Sequence, residues 1–198
     1  MRLVGSENKS TVARRREILG AALDVFNARG FFDATLDHVC AKASLSKGSL
    51  YHYYDSKEAL AVAIYLDALR DLQMAMYISP TEGARSGIEQ AVGGYLDWHF
   101  TNPARGAFLS HAPSWSYSST IAAPIRAQQE RFMEHAGRWF GHWIRHRAFR
   151  KLPLNLYEPL IIGPSRDFVE RWSHKPKPSE LRRMRPFLIE AAWIAIAR

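Results

Sequence analysis

Three features of the 198-residue sequence predict an all-α fold, with a small N-terminal unit of three helices ahead of a larger helical part. Apolar residues recur at intervals of three and four through the long segments, which places them on one helix face. No segment alternates apolar and polar residues over the length a half-buried strand requires. Gly and Pro fall between the periodic segments, at Gly30, Pro80, Pro103 and Gly163-Pro164, and cut the chain into helix-length pieces.

Residues 1–10 are polar and aperiodic and read as a flexible arm, with Arg2 and Lys9 as the side chains available to a minor groove. The first helix is expected over 11–28, with Ile18, Ala22, Val25 and Phe26 as its apolar stripe and Gly30 as its stop. Arg14, Arg15 and Arg16 load its start, where the helix dipole disfavours cations. That cluster is either a phosphate contact or a solvated basic face. Thr35 suits the N-cap of a short second helix whose apolar face is Leu36, Val39 and Cys40. Ser44-Leu45-Ser46 breaks the pattern, and Ser46 suits the cap of a third helix carrying Leu50 with Tyr53 or Tyr54. Two helices joined by a turn of about three to four residues form a helix-turn-helix, whose second helix enters the DNA major groove.

The side chains of that second helix fit the role. Ser46, Lys47, Gly48 and Ser49 are small or cationic and let the backbone approach a phosphate or base edge. Tyr51, His52 and Tyr53 add polar tips on flat apolar bodies. Lys47 and Tyr51 are the expected phosphate contacts or base readers, with Thr35 and Lys57 anchoring the DNA backbone on either side. A nucleophilic Ser or Tyr would need a base and an orienting partner, and none stands beside these residues.

At these residues the chain resembles the tetracycline-repressor (TetR) family of bacterial transcriptional regulators. The pattern runs from Phe26-Asn27-Ala28-Arg29-Gly30-Phe31 through Thr35, Val39 and Lys42-Ala43. It continues through Ser46-Lys47-Gly48-Ser49-Leu50-Tyr51, Tyr53-Tyr54 and Ser56-Lys57-Glu58-Ala59-Leu60. Ser44 departs from it, standing where the family usually has Gly, and so does Cys40, where a small Ala is common. A left-handed backbone at Ser44 would take a little stability from the turn. The resemblance implies a DNA-binding regulator, most often a repressor, that binds a palindromic operator as a dimer and is released by a small effector. The alternative is a helical interaction or ligand-binding protein that kept the motif and lost sequence-specific DNA binding.

The domains are expected at 1–57, for DNA binding, and 58–198, for effector binding and dimerisation. Helices are expected over 60–78, 81–100 and 105–111, followed by a polar aromatic loop over 112–120. A long helix over 124–147 has Pro124 in its first turn. Gly163-Pro164 then separates 157–162 from a short helix over 165–172. A linker over 173–178 precedes a last helix capped by Ser179, which Pro186 should kink or split. The helix over 60–78 follows directly on the recognition helix, and the resemblance implies that it is the lever between the domains.

Trp98, Phe100, Trp115, Tyr117, Phe132 and Trp139, with Phe140 and Trp143, are candidates to line a cavity for a small apolar or aromatic effector; the competing reading is packed core. One headpiece reads few base pairs, so two are expected about 34–36 Å apart. The resemblance points to the late helices, those beginning at Pro124 and Ser179, as the dimer face.

A net charge of +8 suits an anionic partner, but residues 1–57 carry only +3 of it, nine Lys and Arg against six Asp and Glu. One Cys leaves no intramolecular disulfide and fits a reducing compartment. No signal core or membrane-length apolar run is present, and a cytoplasmic protein is expected. His135, His142 and His146 share a helix face, yet no Cys or carboxylate completes a metal set. No metal, cofactor or catalytic motif is expected.

Overall fold

The computed structural model describes residues 9–111, 119–171 and 177–198. Helices α1 (Lys9–Asp33), α2 (Leu36–Ala43) and α3 (Lys47–Tyr51) form the headpiece. Helices α4 (Lys57–Ala75), α5 (Ala84–Thr101), α6 (Pro103–His111), α7 (Ser119–Arg145), α8 (Leu154–Arg171) and α9 (Pro178–Ile196) form the body. Arg2, Trp115 and Tyr117 lie outside the described residues.

Gly30 breaks α1 where the sequence places the stop. Its φ of 76° and ψ of 161° belong to a region that side chains with a Cβ avoid, and a last turn resumes beyond it. Four expectations give way. Helix α8 runs unbroken through Gly163-Pro164, so no separate short helix forms at 165. Tyr157, Ile161, Ile162 and Ser165 are all buried along it, and their packing outweighs the loss of about 3 kcal/mol that an interior Pro brings. Helix α9 likewise continues past Pro186, with Leu181 buried before it and Leu188, Ala192 and Ile196 after. Its cap is Lys177 with Pro178 in the first turn, so Ser179 is already inside. Helix α7 starts at Ser119, so the expected loop is partly helix and Pro124 sits inside rather than at the start.

Two cores hold the chain together. The body core gathers Ile88, Val92, Leu96, Trp139, Phe140, Tyr157, Ile161, Leu188 and Ile196. The headpiece core gathers Ile18, Phe26, Val39, Leu50, Leu60 and Ile64, but also Phe108 of α6 and Ile125 of α7. The packing unit therefore extends past residue 57, and Lys57 is already the first residue of α4. Helix α7 lies along α4, whereas α8 lies along α9 and α5. At Gly94 the α4 and α5 backbones meet: a Cβ there would stand 1.9 Å from the Ala75 carbonyl oxygen.

Candidate nucleic-acid interface and effector cavity

The reading head is built from its caps upward. Thr35 is extended, and its Oγ1 accepts from the His38 N–H at 3.3 Å while His38 Nδ1 accepts from the Thr35 N–H at 3.2 Å. This reciprocal cap satisfies two donors at the mouth of α2. Ser44 forms the turn in the left-handed region, φ 53° and ψ 49°, a conformation that costs a residue with a Cβ roughly 1–2 kcal/mol. Ser46 then caps α3, its Oγ accepting from the Ser49 N–H at 3.1 Å. Leu50 is fully buried and is the peg that fixes α3 to the core, with Tyr53 and Tyr54 packed beside it.

That peg decides what faces outward. Ser46, Lys47, Gly48, Ser49, Tyr51 and His52 are all exposed, and Tyr53 is half-buried with its ring edge-on to His52. Tyr51 keeps half of its surface, 50%, in water, an unfavourable place for a large ring without a partner. Lys47 reaches back to Asp37 on α2, with Nζ 2.8 Å from the carboxylate, and that hydrogen bond raises its pKa. Lys42 pairs with Asp24 of α1 at 3.3 Å.

Lys57 is placed differently from the expectation. Its Nζ donates to the carbonyls of Phe31 at 2.8 Å, Ala34 at 2.9 Å and Phe32 at 3.2 Å, and lies 4.6 Å from the centre of the Phe31 ring. An ammonium has three protons, and each has an acceptor within the protein. Lys57 holds the corner between α1 and α2 and has no proton left over for a phosphate.

A cavity of about 600 Å³ opens in the body among α4, α5, α6, α7 and α8. Of the expected aromatic lining, Phe132 borders it. Trp98 and Trp139 do not: both are core, with Nε1 donating to the Asp71 carboxylate at 3.0 Å and to the Glu82 carbonyl at 3.1 Å respectively. Phe100, Phe140 and Trp143 pack in or against the same core. What replaces them is polar at one end, where Tyr65, Tyr95, His99, Glu158 and Arg166 converge. Arg166 pairs with Glu158 two turns away on α8. Burial pushes the Tyr95 phenol up to about 12 despite the opposing charge of Arg166, and burial raises Tyr65 as well. Burial pushes His99 down to about 4, with the Arg166 charge acting in the same direction. These groups are uncharged hydrogen-bonding partners at neutral pH.

The cavity wall is continuous with the headpiece. The His99 ring lies against α6, where a Cβ on Gly106 would be 2.5 Å from its Nδ1. Next to Gly106, Arg105 donates to Asp67 and Asp71 of α4, each at 2.7 Å. Helix α6 also touches α1, through Phe108 stacked on Phe26 and the Asn27 amide donating to the Ala104 carbonyl at 2.8 Å. His135 and His142 of α7 and His146 just beyond its end do not converge on one point. His142 stacks on His146 at 4.3 Å, while His135 stacks on Tyr77.

Residues 18–64 match the model of the family described as bacterial regulatory proteins, tetR family. The transcriptional regulator UidR of Escherichia coli K12 is 38% identical over 79 residues, covering 39% of this chain and 40% of UidR. BetI of Klebsiella pneumoniae is 32% identical over 121 residues, 59% of this chain and 60% of BetI. The alignments thus span about two fifths to three fifths of these relatives' length. In three dimensions the likeness is end to end. A tetR-family regulatory protein from Rhodococcus RHA1 superposes with a TM-score of 0.78 at 22% identity, covering 93% of this chain and 97% of the other. A regulator of the same family from Marinobacter aquaeolei VT8 gives 0.75 at 18% identity, covering 96% and 98%. The headpiece matches the tetR family of bacterial regulatory proteins in sequence, and the chain as a whole shares the fold of solved tetR-family regulators.

Proposed function

We propose that the protein is a cytoplasmic, ligand-responsive transcriptional regulator, acting by binding and not by catalysis. A dimer reads a palindromic operator and lets go when a small molecule occupies the body cavity. The observation that carries this reading is the outward face of α3: with Leu50 as the buried peg, every exposed side chain from Ser46 to His52 is small, cationic or a polar-tipped ring. The DNA contacts are Thr35, Ser46, Lys47, Gly48, Ser49, Tyr51, His52 and Tyr53, with Lys57 supporting them from inside.

Helix α9 supports the dimer. Phe187 and Ile194, two turns apart, are 67% and 64% exposed, and Leu154 and Leu156 at the start of α8 are exposed too. Because α8 and not α7 lies along α9, the proposed interface joins α8 and α9 of each protomer. Ligand coupling runs through α4 and α6, which wall the cavity with one part and enter the headpiece core with another. No helix of the described residues is long and apolar enough to cross a membrane.

Selection of random duplex DNA by the purified protein, read at two salt concentrations, tests the proposal. An inverted repeat bound with steeply salt-dependent affinity is expected. Recovery of no enriched sequence would instead favour the interaction protein that kept the motif as scaffold.

A further inference from the structure

We propose that the cavity takes an aliphatic carboxylic acid whose carboxylate sits on Arg166 in place of Glu158, an inference that rests on reading the cavity as the effector site. Its apolar surface is supplied by Leu69, Leu72, Met76, Leu109, Met133 and Ile162. These are flexible, non-planar side chains, and among the described lining residues the rings are Phe132 and, at the polar end, Tyr65, Tyr95 and His99. Such a surface moulds itself to a bending hydrocarbon chain better than to a rigid plane. A volume of about 600 Å³ falls within the range of small-molecule pockets.

The head group follows from the polar end. Among the described residues of the lining, Arg166 is the one Lys or Arg. Its half-buried guanidinium offers five N–H donors in a planar fork, and Nη2 is the nitrogen that meets Glu158. Tyr95 remains protonated, as does Tyr65, and the depressed His99 stays neutral. Tyr65, Tyr95 and His99 around the guanidinium are therefore uncharged, and Glu158 is the anion paired with it. An incoming carboxylate finds an arrangement that stabilises negative charge, whereas an amine would be placed against Arg166. Glu158 is the obstacle, but it is itself half-exposed and can turn to water when displaced. Glu170 at the rim is exposed, where solvent screens its repulsion. In this arrangement Glu158 occupies the place on Arg166 that the proposed head group would take.

Calorimetric titration of the full chain with decanoate, decanamide and decylamine tests this, because the three share a tail and differ in head charge. Decanoate is expected to bind at least about tenfold more tightly than decanamide, the step that one charge-assisted hydrogen bond supplies. Arg166→Gln is expected to erase that preference while binding decanamide as the wild type does, and Arg166→Lys to keep part of it. Glu158→Gln, which removes the competitor, is expected to tighten decanoate. Equal or tighter binding of the amide or the amine by the wild-type protein would overturn the head-group assignment and leave the cavity as an effector site. Binding of none of the three would overturn both. Circular dichroism melts of each variant separate lost binding from lost folding.

Discussion

Lys57 meets Phe31 twice: its ammonium donates to the Phe31 carbonyl at 2.8 Å and lies 4.6 Å from the centre of the same residue's ring. The contact closes the corner between the end of α1 and the start of α4, inside which α2 and α3 sit. Removing the charge leaves carbonyls of residues 31, 32 and 34 without this donor. Lys57→Met is expected to destabilise the protein by about 2 kcal/mol, measured by urea unfolding. Operator affinity should fall in proportion to the loss of folded headpiece. A variant of full stability with lost DNA binding would return Lys57 to the DNA.

Lys47 and Tyr51 should behave in the opposite way. Both are exposed, so alanine at either is expected to change stability by no more than about 0.5 kcal/mol. Lys47→Ala should weaken operator binding and lower the slope of log affinity against log salt by about one. Asp37→Asn frees Lys47 from its ion pair and is expected to tighten binding. Filter binding across a salt series reads all three variants.

The two halves of the reading head differ in how far residue order alone reveals them. Thr35, Ser46 and Leu50 do in the structure what their spacing predicts, because caps and a buried peg are local features. Lys57 was not readable in this way: its acceptors are carbonyls some twenty-five residues earlier, and no side-chain pattern marks a carbonyl. The body shows the same division. Its helices are visible from apolar spacing, but Gly163-Pro164 reads as a break that packing overrides. That supposed break hid Glu158 and Arg166, which share one face only because α8 is continuous. Aromatic content pointed to Trp98 and Trp139, yet large rings close a core as readily as they line a cavity.

At Gly94 the α4–α5 contact has no room for a methyl group. Gly94→Ala would put a Cβ 1.9 Å from the Ala75 oxygen, and backbone cannot turn aside. A loss of about 3 kcal/mol in thermal or urea unfolding is expected. Gly93→Ala should be milder, because its Cβ meets the movable Arg185 guanidinium, at 2.8 Å.

His99 gives stability a pH dependence. Unfolded, it titrates near 6.5; folded, near about 4. Between those values the unfolded chain binds a proton that the folded chain does not, so stability rises with pH across the window and is withdrawn on acidification. From pH 7 to pH 5 the loss is about 2 kcal/mol. His99→Asn should flatten that part of the curve, and urea midpoints at the two pH values measure it. Equal losses in variant and wild type would place the proton uptake elsewhere.

The side chains of Phe108 and Ile125 come from α6 and α7 yet sit in the headpiece core. A fragment cut after the recognition helix would leave that core open on one side, so the reading head is not a detachable cartridge. Recombination that grafts a new specificity onto this body must bring a compatible Phe108 socket along with α3.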